Sequence, residues 1–236
     1  MKRLATYTLV LGGSAGIGFA FAEWCANKSR RIIIVGRYKA RLRKARERLL
    51  KSGATEVICI SGDLVDPRFR SSLLSRLAEK RLSTVFIGGP NPPSGHPSSV
   101  DWRSAQRACE ICIIYPLQIV SSLVQQRSNG TNIIFLSSSA ARERLEGHPF
   151  FLSAFFRRTA ETLLQLYARE HSFASTTFSI WHPKVVYTDL AKRYARALPV
   201  RRKQDSLMNR LKQAFGISSL PTARQYVERM MSTSNE

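Results

Sequence analysis

The chain has 236 residues, of which 44% are hydrophobic, and its formal net charge is +21 at pH 7. This length favours one domain with a substantial core over two full-sized domains. No apolar run approaches the roughly 20 residues of a membrane-spanning helix, and the first residues lack a signal-peptide pattern, so we expect a cytoplasmic protein without a membrane span.

Short β-branched runs alternate with longer amphipathic stretches along the chain. This alternation is typical of repeated βαβ units, and it predicts an α/β fold with a doubly wound parallel sheet. We expect a single domain over residues 1–236, with helices on both faces of the sheet and a ligand crevice at the carboxyl ends of the strands. The six predicted strands are Tyr7–Leu11, Arg31–Val35, Glu56–Ile60, Thr84–Ile87, Asn132–Ser137 and Thr176–Trp181, and helical patterns begin near Gly16, Tyr38, Pro67, Val100 and Phe150.

The first strand ends in a glycine-rich turn, and a helical pattern follows at once. Glycines permit a tight turn and let backbone N–H groups approach a pyrophosphate, while the helix N-terminus favours an anion. The spacing of Gly12, Gly16 and Gly18 resembles the G-x-x-x-G-x-G turn of the short-chain dehydrogenase/reductase family. This resemblance implies a Rossmann-like fold and a dinucleotide bound at the turn, with Ser14 and Ile17 among the cofactor-binding residues.

The second strand ends in Gly36-Arg37, where a family member that prefers NAD usually carries an acidic residue at the position of Gly36. Without a carboxylate to repel it, a 2′-phosphate can receive charge-assisted hydrogen bonds from Arg37. We therefore predict NADP(H) as the cofactor. The alternative is that Arg37 only begins a basic helix.

Much of the positive charge lies in the helical pattern after Arg37, where basic residues alternate with core-facing Ala and Leu. A solvated basic helix face explains this pattern. The chain has no helix-turn-helix spacing and no aromatic RNA-binding motif, so we do not expect nucleic acid as a partner.

Two further segments follow strands and resemble cofactor-binding parts of the family. Asp63-Leu64 resembles the family's pair that hydrogen-bonds the adenine, although Asp63 could equally cap a turn. The fourth strand leads into Gly88-Gly89-Pro90, where the family has Asn-Asn-Ala-Gly. We expect Gly88 to border the cofactor.

The segment that begins near Trp102 resembles the long family helix that often carries a catalytic Asn. Alignment on Trp102 puts Cys109 at the Asn position, whereas alignment on Tyr115 puts Ile113 there, so we expect an insertion in this stretch. Cys109 and Cys112 form a C-x-x-C, but no second pair lies at zinc-binding spacing. The four cysteines therefore predict reduced thiols and no metal site.

The fifth strand ends in three serines, and this region resembles the strand that carries the family's catalytic serine. We place that serine at Ser138, with Ser137 and Ser139 as alternatives. The family then needs Tyr-x-x-x-Lys on a helix, where both side chains share a face and the lysine lowers the pKa of the tyrosine. This chain has Ser153 and Arg157 at the two positions.

Arg157 is a candidate both for catalysis and for cofactor binding, since its guanidinium stays charged and can bond the ribose hydroxyls beside the nicotinamide. Ser153 occupies the catalytic tyrosine position, but its hydroxyl is too short and too weakly acidic to replace a phenol as proton donor. The usual proton donor of the family is therefore missing.

The segment after the sixth strand resembles the family's Pro-Gly-x-x-x-Thr, with Pro183 and Thr188 at the matching positions and a role in cofactor binding. His182 and Tyr187 lie near the expected reaction site. Either could supply a substitute acid, as could Tyr115 or water, and we take Tyr187 as the first catalytic candidate among them.

After Thr188 the pattern changes to basic helical segments, and we interpret residues 189–220 as a small helical flap over the substrate. Pro221–Met231 resembles the helix before the family's last strand, and we expect the sheet to have six strands without that seventh one. The family usually forms dimers or tetramers through the helices near Val100 and Phe150, so we expect a homo-oligomer.

These features favour an NADPH-dependent oxidoreductase of the carbonyl reductase type, with an atypical mechanism and a small carbonyl or alcohol substrate. The second hypothesis is a catalytically degenerate NADP(H)-binding protein that acts as a sensor or through a protein partner. The third is a cyclase or isomerase on the same fold, because one fold supports many functions.

Overall fold

Six parallel strands form the centre of the computed structural model, and they confirm the predicted fold class. The strands are β1 (Thr6–Leu11), β2 (Arg31–Gly36), β3 (Glu56–Ser61), β4 (Arg81–Ile87), β5 (Asn132–Leu136) and β6 (Thr177–Trp181). The structure describes residues 5–28, 30–93, 101–125, 130–146, 150–170, 176–184, 186, 188, 191, 206, 209 and 221–233.

The helices follow the strands in alternation, as the sequence predicts. They are α1 (Gly16–Ala26), α2 (Lys39–Lys51), α3 (Pro67–Leu77), α4 (Trp102–Cys109), α5 (Tyr115–Gln125), α6 (Phe151–Glu170) and α7 (Ala223–Thr233), with a π-helical segment at Glu110–Ile114 and a 3₁₀ turn at Ser139–Arg142.

The strand order is β3-β2-β1-β4-β5-β6. Two apolar clusters cover the two faces of the sheet: one packs α1, α2 and α7 against it, and the other packs α3, α5 and α6 against it. The order reverses between β1 and β4, and in sheets of this kind a ligand crevice opens at the carboxyl ends of the strands where the order reverses.

Strand β4 begins three residues earlier than the sequence predicts. The reason is an irregularity in its pairing with β1, where Tyr7 lies opposite Leu82 but Thr8 lies opposite Thr84. The intervening Ser83 interrupts the alternation of buried and exposed side chains. The Ser83 hydroxyl donates a hydrogen bond to the Tyr7 carbonyl at 3.3 Å, so this carbonyl has a partner at the bulge.

Helix α7 packs against α1 through an aromatic cluster. Trp181, 1% exposed at the end of β6, contacts Phe21 and Phe86 edge to face, with ring centroids 5.8 and 5.7 Å apart. Tyr226 of α7 makes the same kind of contact with Trp181 at 6.0 Å. The helix is therefore anchored as expected, and the described residues contain no strand after β6.

The π-helical segment lies where the sequence leads us to expect an insertion. It joins α4 to α5 and buries Ile111, Cys112 and Ile113. Such segments accommodate an extra residue inside an α-helix. All four cysteines are free, with Cys25 and Cys112 buried.

Two kinds of feature are absent from the described residues. No helix among them is long and apolar enough to cross a membrane. The same part of the chain holds no cluster of three or more His, Cys, Asp or Glu side chains that could bind a metal ion.

Candidate cofactor and active site

A groove with a volume of about 240 Å³, open to solvent, lies at the carboxyl ends of β1 to β5. Six chain segments that are distant in sequence meet there. It is lined by Gly12, Ser14, Ala15, Gly16, Ile17, Gly18, Gly36, Arg37, Tyr38, Arg41, Gly62, Asp63, Leu64, Gly88, Gly89, Pro90, Asn91, Leu136 and Thr188.

The glycine turn after β1 forms the floor of this groove. Gly12 has φ +80°, and a Cβ there would lie 2.9 Å from the backbone nitrogen of Gly89, so neither a side chain nor the usual backbone angles fit. A Cβ on Gly18 would lie 2.5 Å from the Gly12 carbonyl oxygen. Glycine at both positions lets α1 and the Gly88 loop approach the turn at backbone distance.

Helix α1 begins at this turn with its N-terminal amides unengaged by side chains. Ala15 is the N-cap residue, and no side chain among the described residues caps it. The first turn of the helix also lacks an acidic residue. A helix start with open N–H groups carries a partial positive charge that favours an anion.

Two arginines flank an exposed tyrosine at the β2 end of the groove. The guanidinium carbons of Arg37 and Arg41 lie 5.5 and 5.0 Å from the ring centroid of Tyr38. Arg41 lies in the first turn of α2, where the helix dipole disfavours a cation unless an anion is present. Sequence reasoning found Arg37 but missed Tyr38 and Arg41, although the spacing of Arg37 and Arg41 was a usable signal.

The loop after β3 brings Asp63 and Leu64 to the adjoining part of the groove. Asp63 accepts a hydrogen bond from the Val65 amide at 3.1 Å, so it caps a turn as the alternative interpretation expects, and it also lines the groove. Arg70, 2% exposed, donates to the carbonyls of Leu64 and Val65 at 2.9 and 3.0 Å.

The same arginine links this loop to the long helix on that face. It pairs with Glu110 at 2.6 Å and donates to Gln118 at 2.6 Å. Arg70 therefore holds the Asp63-Leu64 loop in place through four acceptors on three segments.

Tyr115 packs against the Gly88-Gly89 loop and bonds to it. This contact argues against Tyr115 as the proton donor. Its hydroxyl is buried and donates to the Gly88 carbonyl at 2.6 Å. Burial raises the pKa of this phenol well above its ordinary value. A proton held this tightly, and pointed at a backbone carbonyl, is not available to a substrate.

Ser137 and Ser138 face different surroundings at the end of β5. Ser138 begins the 3₁₀ turn and accepts a hydrogen bond from the Ala140 amide at 3.3 Å, so its own proton is not used in that bond. Ser137 is buried and donates to the Glu161 carboxylate. This engagement argues against Ser137 and leaves Ser138 as the better candidate.

The two side chains at the family's Tyr and Lys positions both donate to backbone carbonyls. Ser153 donates to Phe150 at 3.0 Å within the start of α6. Arg157 donates to Leu136 at 2.7 Å, and Leu136 lines the groove although Arg157 itself does not.

The loop after β6 closes the far wall. Thr188 lines the groove, and its methyl carbon would lie 3.8 Å from a Cβ on Gly16. Pro183 lies outside the lining, and its carbonyl accepts from the Ser139 amide at 2.9 Å. Tyr187 lies outside the described residues, as does the flap at 189–220 apart from three single positions.

Glu161, a carboxylate that the sequence did not reveal as a site residue, connects the ends of β5 and β6. Glu161 on α6 accepts from Ser137 with one oxygen and lies 3.0 Å from Nε2 of His182 with the other. Its signal in the sequence was a lone acid between Ala160 and Leu164, on the buried face of an otherwise amphipathic helix.

The comparisons with known proteins agree with this architecture. The family model for short chain dehydrogenase matches residues 6–198. A bovine (Bos taurus) protein, 3-ketodihydrosphingosine reductase, is 27% identical over 169 residues, which cover 66% of this chain and 50% of that protein. The chain thus spans about half the length of that curated relative.

Solved structures resemble the whole chain. L-Sorbose reductase from Gluconobacter frateurii, complexed with NADPH and L-sorbose, superposes with a TM-score of 0.85 at 16% identity, covering 98% of this chain and 89% of that one. A short-chain dehydrogenase from Sphingobium yanoikuyae in complex with NADPH has a TM-score of 0.76 at 17% identity, covering 98% and 85%. With the family model matched over most of its length, this chain belongs to the short chain dehydrogenase family.

Proposed function

We propose that the protein is an NADPH-dependent reductase of carbonyl compounds. The observation that carries the proposal is the groove, which runs along the carboxyl edge of the sheet from Asp63 after β3, past the two arginines after β2 and the glycine turn after β1, to Thr188 after β6. A phosphorylated dinucleotide that lies across this edge would meet these groups in this order.

The shape and lining of the groove are suited to this cofactor. The turn is packed at backbone distance through Gly12 and Gly18, which leaves room above it for a pyrophosphate. Arg37 and Arg41 would bind the 2′-phosphate, and Asp63 and Leu64 would border the adenine. Gly88 and Thr188 would border the nicotinamide half.

The bound cofactor would supply a hydride to the carbonyl carbon. At the reaction end, the Ser138 hydroxyl would donate a hydrogen bond to the carbonyl oxygen and polarise it. Arg157 uses one N–H for the Leu136 carbonyl, and the other donors of its guanidinium would remain for ribose hydroxyls. Ser153 would have a supporting role only, since its proton is engaged with Phe150.

The substrate class rests on the relatives. The bovine relative is named for a keto lipid base, and the Gluconobacter protein is bound to a keto sugar. We therefore expect a ketone or the matching alcohol, bound beyond Ser138 under the segment 189–220.

The first experiment measures binding. NADPH added at about a hundredfold excess over its dissociation constant should raise the unfolding free energy by about 2.7 kcal/mol, which thermal denaturation detects. NADH at the same concentration should stabilise the protein much less, since it lacks the 2′-phosphate. Absence of stabilisation by both nucleotides would contradict the proposal.

Replacing Arg37 by aspartate tests the 2′-phosphate assignment. Loss of a charge-assisted hydrogen bond costs about 1.5–3 kcal/mol, so NADPH affinity should fall roughly tenfold to a hundredfold. NADH affinity should change little, because a carboxylate at this place can accept from the ribose hydroxyl. Titration of both nucleotides by fluorescence measures the ratio.

Arg43→Asp is the matched control. Arg43 lies exposed on α2, which begins two residues after Arg37, and does not line the groove, yet its substitution changes the net charge by the same amount. Equal losses of NADPH affinity in the two variants would mean that general charge attraction, and not a contact at Arg37, favours the phosphate.

A second candidate function is NADP(H) binding without turnover, as in a sensor. The observation in its favour is that Ser153 and Arg157 are both engaged with backbone carbonyls. NADPH binding without NADPH oxidation, across a panel of ketones that includes keto lipids and keto sugars, would support this candidate over the reductase.

The oligomeric state stays a prediction. Exposed apolar side chains lie on the helices that we expect to pair, and a second copy would cover them. They are Trp102, Ile114, Phe155, Leu163 and Leu166.

A further inference from the structure

An ionisable pair joins α6 to the residue after β6, and neither of its members lines the groove. Glu161 and His182 are joined at 3.0 Å, and their side chains are 11% and 12% exposed. The second oxygen of Glu161 is fixed by Ser137, which is 3% exposed. Buried charged or polar groups in such an arrangement hold each other in one geometry.

Each of the two residues that contact Glu161 adjoins a residue of the expected site. Ser137 precedes Ser138, and His182 precedes Pro183. The two loops are bonded to each other, since the Ser139 amide donates to the Pro183 carbonyl at 2.9 Å.

Helix α6 provides the other half of the arrangement. Glu161 lies one turn after Arg157, and residues four apart share a helix face. Arg157 reaches Leu136 on β5, which lines the groove. The face of α6 that carries Glu161 therefore also carries Arg157, which contacts the groove-lining Leu136.

The other described candidates for proton donor are engaged elsewhere. The Ser153 proton is donated to Phe150, and the Tyr115 proton is donated to Gly88 in a fully buried setting. His182 differs, because its Nε2 faces a carboxylate while no partner among the described residues is bonded to its Nδ1.

We propose that His182, oriented by Glu161, is the proton donor of this site and takes the part that a tyrosine plays elsewhere in the family. The inference rests on the proposed reductase function. Nε2–H stays bonded to the carboxylate, which fixes the ring and stabilises the imidazolium, as a carboxylate does for a catalytic histidine. Glu161 is a positioning residue in this arrangement.

The proton transfer accompanies the hydride transfer. The bound cofactor would supply the hydride for the new C–H bond, and the carbonyl π electrons would move to oxygen. The O–H bond forms as the Nδ1–H bond of His182 breaks, which leaves a neutral imidazole. Solvent then returns the proton through the exposed edge of the ring.

The charged and titratable groups on the surrounding elements are mostly cationic. They include Arg157 and Arg158 on α6, Arg142 on the 3₁₀ turn, Cys112 on the π-helical segment and Lys184 after β6. Glu161 is the carboxylate that directly contacts the ring, so removing its charge should make the imidazolium harder to form.

The test uses His182→Gln, whose amide can still donate to Glu161, and Glu161→Gln, which keeps an acceptor for Ser137 but loses the charge. The rate of ketone reduction at saturating NADPH should fall about a hundredfold or more in His182→Gln, the usual contribution of a general acid. The dissociation constant for NADPH should stay within about twofold of the wild-type value, as its contacts lie elsewhere.

The pH profile separates chemistry from structure. The wild-type rate should decline as pH rises and the imidazole loses its proton, and His182→Gln should lack this decline. His171→Gln, the same change at the residue that follows the far end of α6, should keep both the rate and the profile.

NMR adds a readout that needs no turnover. Spectra of the protein labelled in its histidine rings show the His182 signals, assigned as those that His182→Gln removes. In Glu161→Gln the signal of the Nε2–H proton should move, because that proton loses its carboxylate acceptor.

Two outcomes overturn the inference and differ in what else they contradict. A His182→Gln variant with the wild-type rate and profile, or a His182 ring whose signals do not change in Glu161→Gln, contradicts the proton donor alone. A wild-type protein that binds NADPH but reduces no carbonyl compound contradicts both the donor and the reductase.

Discussion

Replacing Gly12 by alanine should abolish measurable NADPH binding while leaving the sheet folded. The new Cβ would lie 2.9 Å from the nitrogen and 3.2 Å from the Cα of Gly89, and these are backbone atoms that cannot rotate away. The glycine turn and the Gly88 loop must therefore separate, although both line the groove. Overpacking of this kind costs about 1–3 kcal/mol, so both stability and affinity should fall.

Gly130→Ala is a close control for this variant. Gly130 has the same φ of +80°, but none of the described atoms lies within 4 Å of a Cβ there. Both alanines meet the steric cost of a left-handed backbone, about 1–2 kcal/mol. Only Gly12→Ala adds the clash, so Gly130→Ala should lose stability and keep the wild-type NADPH dissociation constant.

Calorimetric unfolding and fluorescence titration of the two variants measure the two effects separately. If Gly12→Ala binds NADPH as tightly as Gly130→Ala does, close backbone approach at the turn is not needed for the nucleotide, and the assignment of the groove is wrong.

The fold was predictable because its signals are local. Strands of β-branched residues, helices of period 3.6 and a glycine turn between the first two elements depend on neighbours in sequence. The one large boundary error, at β4, came from the bulge at Ser83, which depends on pairing with another strand.

The site was less predictable because its contacts join distant segments. Arg68 and Arg70 stand two residues apart in the same basic helix, yet Arg68 is exposed and Arg70 is 2% exposed. Composition and spacing cannot separate two such arginines. Glu161 is a similar case, since its partners Ser137 and His182 lie on two other elements.

Replacing Arg70 by methionine should lower the free energy of unfolding by about 3 kcal/mol. Methionine keeps the apolar stem but removes the charge. Glu110, whose side chain is 28% exposed, then loses its cation, and the Leu64 and Val65 carbonyls lose their donor. Breaking one side of a buried pair costs about 3–5 kcal/mol, and the partial exposure of Glu110 places this case at the lower end.

Chemical denaturation of Arg70→Met, Glu110→Gln and the double variant forms a cycle that isolates the pair. We expect the loss of unfolding free energy in the double variant to be smaller than the sum of the losses in the two single variants. Arg224→Met is the control, because Arg224 pairs with Glu228 at 2.9 Å on the exposed face of α7, where an ion pair adds little.

The loop that Arg70 holds borders the groove at Asp63 and Leu64, so the same substitution should also act on the cofactor. NADPH affinity of Arg70→Met should fall several-fold at a temperature where the variant is folded, whereas Arg224→Met should bind as the wild type does. Loss of stability with unchanged affinity would mean that the loop keeps its shape without the arginine. The four contacts of Arg70 would then stabilise the fold only. The position of the adenine end of the groove would be set by the pairing of β3 with β2.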